Sequence, residues 1–88
     1  MARVIFSHPK GNSLPSALLN SMIGIFTELG RDDSVRVILL QSEGSGSFCG
    51  GASFDELLAV SDLEQAKTFF SGFAHLINAM RKCPKLVI

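Results

Sequence analysis

The chain has 88 residues, 47% of them hydrophobic, with seven Phe, no Trp and no Tyr, and its eight Lys and Arg balance eight Asp and Glu. This length allows one small domain, and the even charge excludes a basic surface built for nucleic acid. No apolar run reaches the roughly 18 residues of a membrane span, and the opening MARVIFSHPKG has too short an apolar run for a secretory signal, so neither is expected.

In chain order, ARVIFS reads as a short strand of β-branched and aromatic residues. HPKGNSLP follows as a loop, broken by Pro, Gly and Asn. A helix is expected from about Pro15 to Leu29, with Pro15 in the first position and Gly30 as the stop. Leu18, Met22, Ile25 and Leu29 recur at helical spacing, and Leu19, Ile23 and Phe26 widen the stripe. After the turn RDDS, Val35 to Gln41 reads as a strand buried on both faces at its end, as in a parallel sheet.

The glycine-rich stretch EGSGSFCGGAS comes next, then a short helix over roughly Phe54 to Val60. Ser61 and Glu64 have capping-box spacing, which places a long helix from near Asp62. Its apolar stripe runs through Ala66, Phe69, Phe70, Phe73, Leu76, Ile77 and Met80, and Pro84 ends it. KLVI opens a strand that stops at Ile88, which suggests truncation; the apolar excess for so short a chain agrees. Cys49 and Cys83 lie far apart with no metal-ligand spacing, and they read as reduced thiols of a cytoplasmic protein with no metal.

The glycine loop admits three chemistries. Gly46 and Gly51 have P-loop spacing, but Ala52 and Ser53 stand where Lys and Ser or Thr are needed. A dinucleotide fingerprint from Gly44 and Gly46 would need a third glycine where Cys49 stands. A Cys49 nucleophile would need a base, and neither His8 nor His75 lies at a telling distance. The third chemistry uses main chain. Gly50 and Gly51 permit a tight turn close to a ligand, and the N–H that follows can donate to a carbonyl oxygen at a helix start. That is half of an oxyanion hole.

FCGGASFDEL, Phe48 to Leu57, resembles the crotonase (enoyl-CoA hydratase/isomerase) signature, commonly F-C-A-G-A-D-L-x-E-L. HPKGNSLPSALLNSM resembles that family's Pro-x-x-Asn-Ala-Leu loop, DDSVRVILLQSEGSGSFCGG its strand into the glycine loop, and CPKLVI the strand that precedes its second glycine motif. The resemblance implies an α/β fold, a partial crotonase-like ββα spiral, with residues 1–88 as one incomplete domain. It also implies trimers or dimers of trimers for the longer parent.

By position, the resemblance makes the Ala52 backbone N–H the first oxyanion donor for a thioester enolate. Lys10, Gly11, Gly50, Gly51, Ser53, Phe54 and Asp55 would line the site for an acyl-CoA, with Lys10 available for CoA phosphates and coenzyme A entering only as a thioester substrate. Gly50 in place of the family's Ala is expected to be harmless and slightly looser, Ser53 to cap the following helix, and Asp55 and Glu56 to act as first-turn partners of the helix dipole. The second donor and the catalytic carboxylates would lie beyond Ile88. The parent is thus expected to hydrate 2-enoyl-CoA, and the 88 residues alone to be inactive. The alternatives are a non-catalytic CoA-binding or assembly module, or another crotonase reaction such as isomerisation or thioester hydrolysis.

Overall fold

The computed structural model describes all 88 residues, Met1–Ile88. It is an α/β arrangement of six elements: β1 (Ala2–Phe6), α1 (Ser16–Gly30), β2 (Val37–Ser42), α2 (Phe54–Leu58), α3 (Leu63–Lys82) and β3 (Leu86–Val87). The three strands form one sheet in the order β1-β2-β3, and both pairings are parallel. The register sets Val4 beside Leu40, Arg3 beside Leu39 and Ile38 beside Val87.

Alternation along β1 explains the layering, because successive side chains of a strand point to opposite faces. Val4 and Phe6 are buried and Arg3 and Ile5 exposed. The buried face meets Leu19, Met22 and Phe26, which recur on one side of α1, together with Leu76 of α3. Ile38 and Phe26 are the innermost side chains, each with no exposed surface. Helices thus cover one face of the sheet.

Three boundaries differ from expectation, each for a local reason. β2 begins at Val37 because Asp32 first closes a turn: its carboxylate accepts from the Ser34 N–H at 2.9 Å, and its carbonyl from the Val35 N–H at 3.1 Å. Gly30 is the last residue of α1, and a Cβ there would lie 3.2 Å from Pro84 Cδ, so the glycine serves close packing rather than a left-handed stop. The cap of α3 is Asp62, whose side chain accepts from the Gln65 N–H at 2.8 Å. Gln65 reaches back past the cap to accept from the Ser61 N–H at 2.9 Å, so the cap sits one residue later than Ser61 and Glu64 suggest and lacks the reciprocal bond of a capping box. The end of α3 is as expected, with Cys83 extended ahead of Pro84.

Candidate functional site

Two loops meet at the end of the sheet where β1 and β2 finish. One is the proline loop from Ser7 to Pro15; the other is the glycine loop from Glu43 to Ser53. Leu14 and Ala52 form a parallel bridge between them, and the Gly50 N–H donates to the Asn12 carbonyl at 3.2 Å. Phe48 packs edge-on against Phe6 at 5.3 Å between ring centres, which pins the glycine loop to the end of β1.

The turn uses its two glycines differently. Gly51 has φ +83°, which an L side chain adopts only with strain. Gly50 provides room: a Cβ there would lie 2.8 Å from the Gly11 carbonyl oxygen and 3.3 Å from the Ser13 nitrogen. Gly50 is therefore not merely a looser stand-in for Ala, as the sequence suggested, because the proline loop occupies the space that a methyl group would need.

The Gly51 carbonyl accepts from the buried Leu14 N–H at 2.8 Å. A trans peptide sets its C=O and N–H in opposite directions, so this bond aims the Ala52 N–H away from the proline loop. No backbone or side-chain acceptor takes that N–H, and Ala52 is exposed. The Gly51 N–H is directed to the Cys49 sulfur at 3.4 Å. Cys49 and Cys83 are both free thiols.

The residues after the turn are mostly engaged. Ser53 is buried and caps α2, its hydroxyl accepting from the Glu56 N–H at 3.4 Å. Phe54 is exposed. Lys10 and Asp55 form an exposed ion pair, with Nζ 2.6 Å from Oδ2. Gly11 lies beside Lys10 in the proline loop with φ +67° and open space around its Cα. The chain thus brings Lys10, Gly11, Gly50 and Asp55 to the neighbourhood of the turn. The larger clefts, of about 250 to 490 Å³, lie elsewhere; the largest is lined by Ser16, Glu56, Val60 and Phe69, and Ala52 lines none of them.

Two residues that the sequence left in the background hold this geometry. Glu56 sits in the first turn of α2, as expected, yet its carboxylate accepts from the Ser16 N–H at 2.9 Å and from the Ser16 hydroxyl. It therefore satisfies the first turn of α1 rather than only the dipole of its own helix. Asn12 is buried at φ +57°, and its side chain bonds three backbone groups, the His8 N–H and the carbonyls of Glu43 and Ser47. The Gly11-Asn12 pair was a readable signal, since Asn is among the few residues that tolerate a left-handed backbone. Glu56 offered none, because Ser16 is 40 positions away.

Residues 1–88 match the family described as enoyl-CoA hydratase/isomerase. The chain is 27% identical over 85 residues to a mouse protein named enoyl-CoA hydratase domain-containing protein 2, mitochondrial, covering 96% of this chain and 28% of that one. Among solved structures, an enoyl-CoA hydratase from Bacillus anthracis superposes with a TM-score of 0.87 at 26% identity, covering 97% of this chain and 33% of that one. One from Mycobacterium smegmatis gives 0.87 at 27% identity with the same coverage. The chain therefore spans about a third of the length of these relatives or less.

Proposed function

The chain belongs to the enoyl-CoA hydratase/isomerase family, and on that premise we propose that its glycine turn is one half of an oxyanion site for an acyl-CoA thioester. The Ala52 N–H donates to the thioester oxygen as negative charge develops there. The observation that carries this reading is the Leu14-to-Gly51 hydrogen bond, which leaves the next N–H unpaired and pointing outward. A donor held in place before the charge forms has no reorganisation cost when the charge appears. α2 is only five residues long, so its dipole adds little and the main-chain geometry dominates.

Lys10, Gly11, Gly50, Gly51, Ser53, Phe54 and Asp55 form the surroundings in this proposal. Lys10 exchanges its Asp55 partner for a CoA phosphate; an exposed pair worth about 0–1 kcal/mol is easily exchanged. Ser53 holds α2 through its cap, and Phe54 offers an exposed apolar surface to the acyl or pantetheine portion.

The reaction assigned to the longer protein is addition of water across a 2-enoyl-CoA double bond, with residues 1–88 as an incomplete domain of a trimeric or hexameric assembly. In this proposal its carboxylate acid and base come from outside this chain: Glu56 is committed to Ser16, and Asp55, exposed in the first turn of α2, serves as the exchangeable partner of Lys10. The same commitment supports a second reading, in which these residues bind the thioester without turning it over.

The direct test replaces the Ala52 amide by an ester. The chain can be assembled by ligation at Cys49 with lactate in place of Ala52, which removes the N–H and also makes the Gly51 carbonyl a weaker acceptor, so the Leu14 amide resonance is followed to check that its bond to Gly51 survives. Crotonyl-CoA labelled with ¹³C at the thioester carbon is then titrated into both forms. The carbonyl resonance is expected to move downfield with the native chain and to stay at its solution position with the ester form. No movement with the native chain would sink the oxyanion assignment.

A further inference from the structure

We propose that Asn12 is the positioning residue of the turn: it ties the start, the middle and the turn of the glycine loop to the proline loop and thereby fixes the direction of the Ala52 N–H. The proposal rests on the oxyanion reading for its purpose, but its structural content stands separately. Asn12 Oδ1 accepts from the His8 N–H at 2.9 Å, while Nδ2 donates to Glu43 O at 3.0 Å and to Ser47 O at 2.9 Å. Its own N–H donates to His8 O at 3.0 Å, and its carbonyl accepts from the Gly50 N–H at 3.2 Å. One residue thus ties the start of the glycine loop, its middle and its turn to the proline loop.

The alternatives to Asn at this place are poor for separate reasons. A left-handed backbone at φ +57° excludes β-branched and bulky side chains. The pair of carbonyls facing Nδ2 requires a group with two N–H donors on a short stem, and an amide supplies both. A carboxylate of the same shape supplies none and sets its charge against two carbonyl oxygens. Asn12 itself is buried, so a side chain there that left its own polar atoms unpaired would carry a desolvation cost. Asn12 has no route to the substrate in this account; it acts through Gly50 and the peptide that follows Gly51.

The test needs two variants and one measurement on the native chain. Asn12→Gly keeps the left-handed backbone and deletes the side chain; Asn12→Asp keeps the shape and deletes the donors. In ¹⁵N relaxation, the Gly51 and Ala52 amides of the native chain should be as rigid as α1 and α3, with an order parameter of about 0.85, and should fall below about 0.6 in both variants while the helices stay rigid. On the native chain alone, the Asn12 side-chain amide protons should exchange with solvent far more slowly than those of the exposed Asn20 and Asn78. The proposal is overturned by a turn that stays rigid in Asn12→Gly, or by Asn12 amide protons that exchange as fast as those of Asn20, a reading that stands even where a variant fails to fold. The thioester resonance separates the two levels. Its movement with the native chain and with both variants retires the positioning role alone; its absence with the native chain, while the relaxation pattern is as expected, retires the oxyanion reading alone.

Discussion

At the scale of single residues, Gly50 and Gly51 are both needed at the turn, for different reasons. Gly51→Ala puts a Cβ on a backbone at φ +83° and should cost about 1–2 kcal/mol in urea unfolding. Gly50→Ala puts a methyl 2.8 Å from the Gly11 oxygen and should cost about 1–3 kcal/mol, with shifted amide resonances through Lys10 to Ser13. The sequence made the turn legible, because paired glycines announce a backbone that needs freedom. It could not announce the clash, because the partner backbone belongs to a loop some forty residues earlier. Asp32 is a milder case. The Ser34 hydroxyl and then its N–H hold the Asp32 carboxyl below its ordinary pKa. A carboxyl whose pKa is lowered by folding contributes stability above its unfolded pKa and loses it as pH falls through the folded one. An NMR titration should therefore give Asp32 a midpoint below the roughly 3.9 of a free aspartate, and Ser34→Ala should move it back upward.

At the scale of elements, the helices were legible from periodicity and their ends less so. The spacing of Leu18, Met22, Ile25 and Leu29 found α1 but centred its core face about one position off, since the buried side chains are Leu19, Met22 and Phe26 and Ile25 is exposed. The start of α3 could not be fixed to one residue, because Ser61 with Glu64 and Asp62 with Gln65 have the same spacing. The structure favours the second pair, whose cap carries a charge toward the positive helix end. Asp62→Ala should cost about 1 kcal/mol and Ser61→Ala much less, a difference that paired thermal melts resolve. The link between α1 and α2 was not legible at all. Ser16 opens α1 with no side-chain cap on Pro15, and Glu56 supplies the missing acceptor from another helix. Glu56→Ala should cost about 1–2 kcal/mol and speed exchange of the Ser16 amide while leaving the C-terminal half of α1 unchanged.

At the scale of the whole molecule, the composition and the architecture address the same fact. Nearly half the residues are hydrophobic, yet the chain is a slab only 14 Å thick along its shortest axis, with helices on one side of three strands. The register puts Arg3, Ile5, Val37, Leu39, Gln41, Leu86 and Ile88 on the other face. Arg3 spans to Gln41 there at 3.1 Å, while Ile5, Leu86 and Ile88 are at least half exposed. Opposite faces of one strand should therefore answer the same substitution in opposite ways. Val4→Lys forces an unpaired charge among Phe6, Met22 and Ile38 and should unfold the chain, since a buried ion without a partner costs several kcal/mol. Ile5→Lys and Leu86→Lys alter side chains already in water and should leave the unfolding free energy from urea titration within about 0.5 kcal/mol of the native value. They should also lower the binding of a hydrophobic dye such as anilinonaphthalene sulfonate, because each removes an exposed apolar side chain. A loss of stability from Ile5→Lys equal to that from Val4→Lys would mean that both faces are packed, and the one-sided architecture would be wrong.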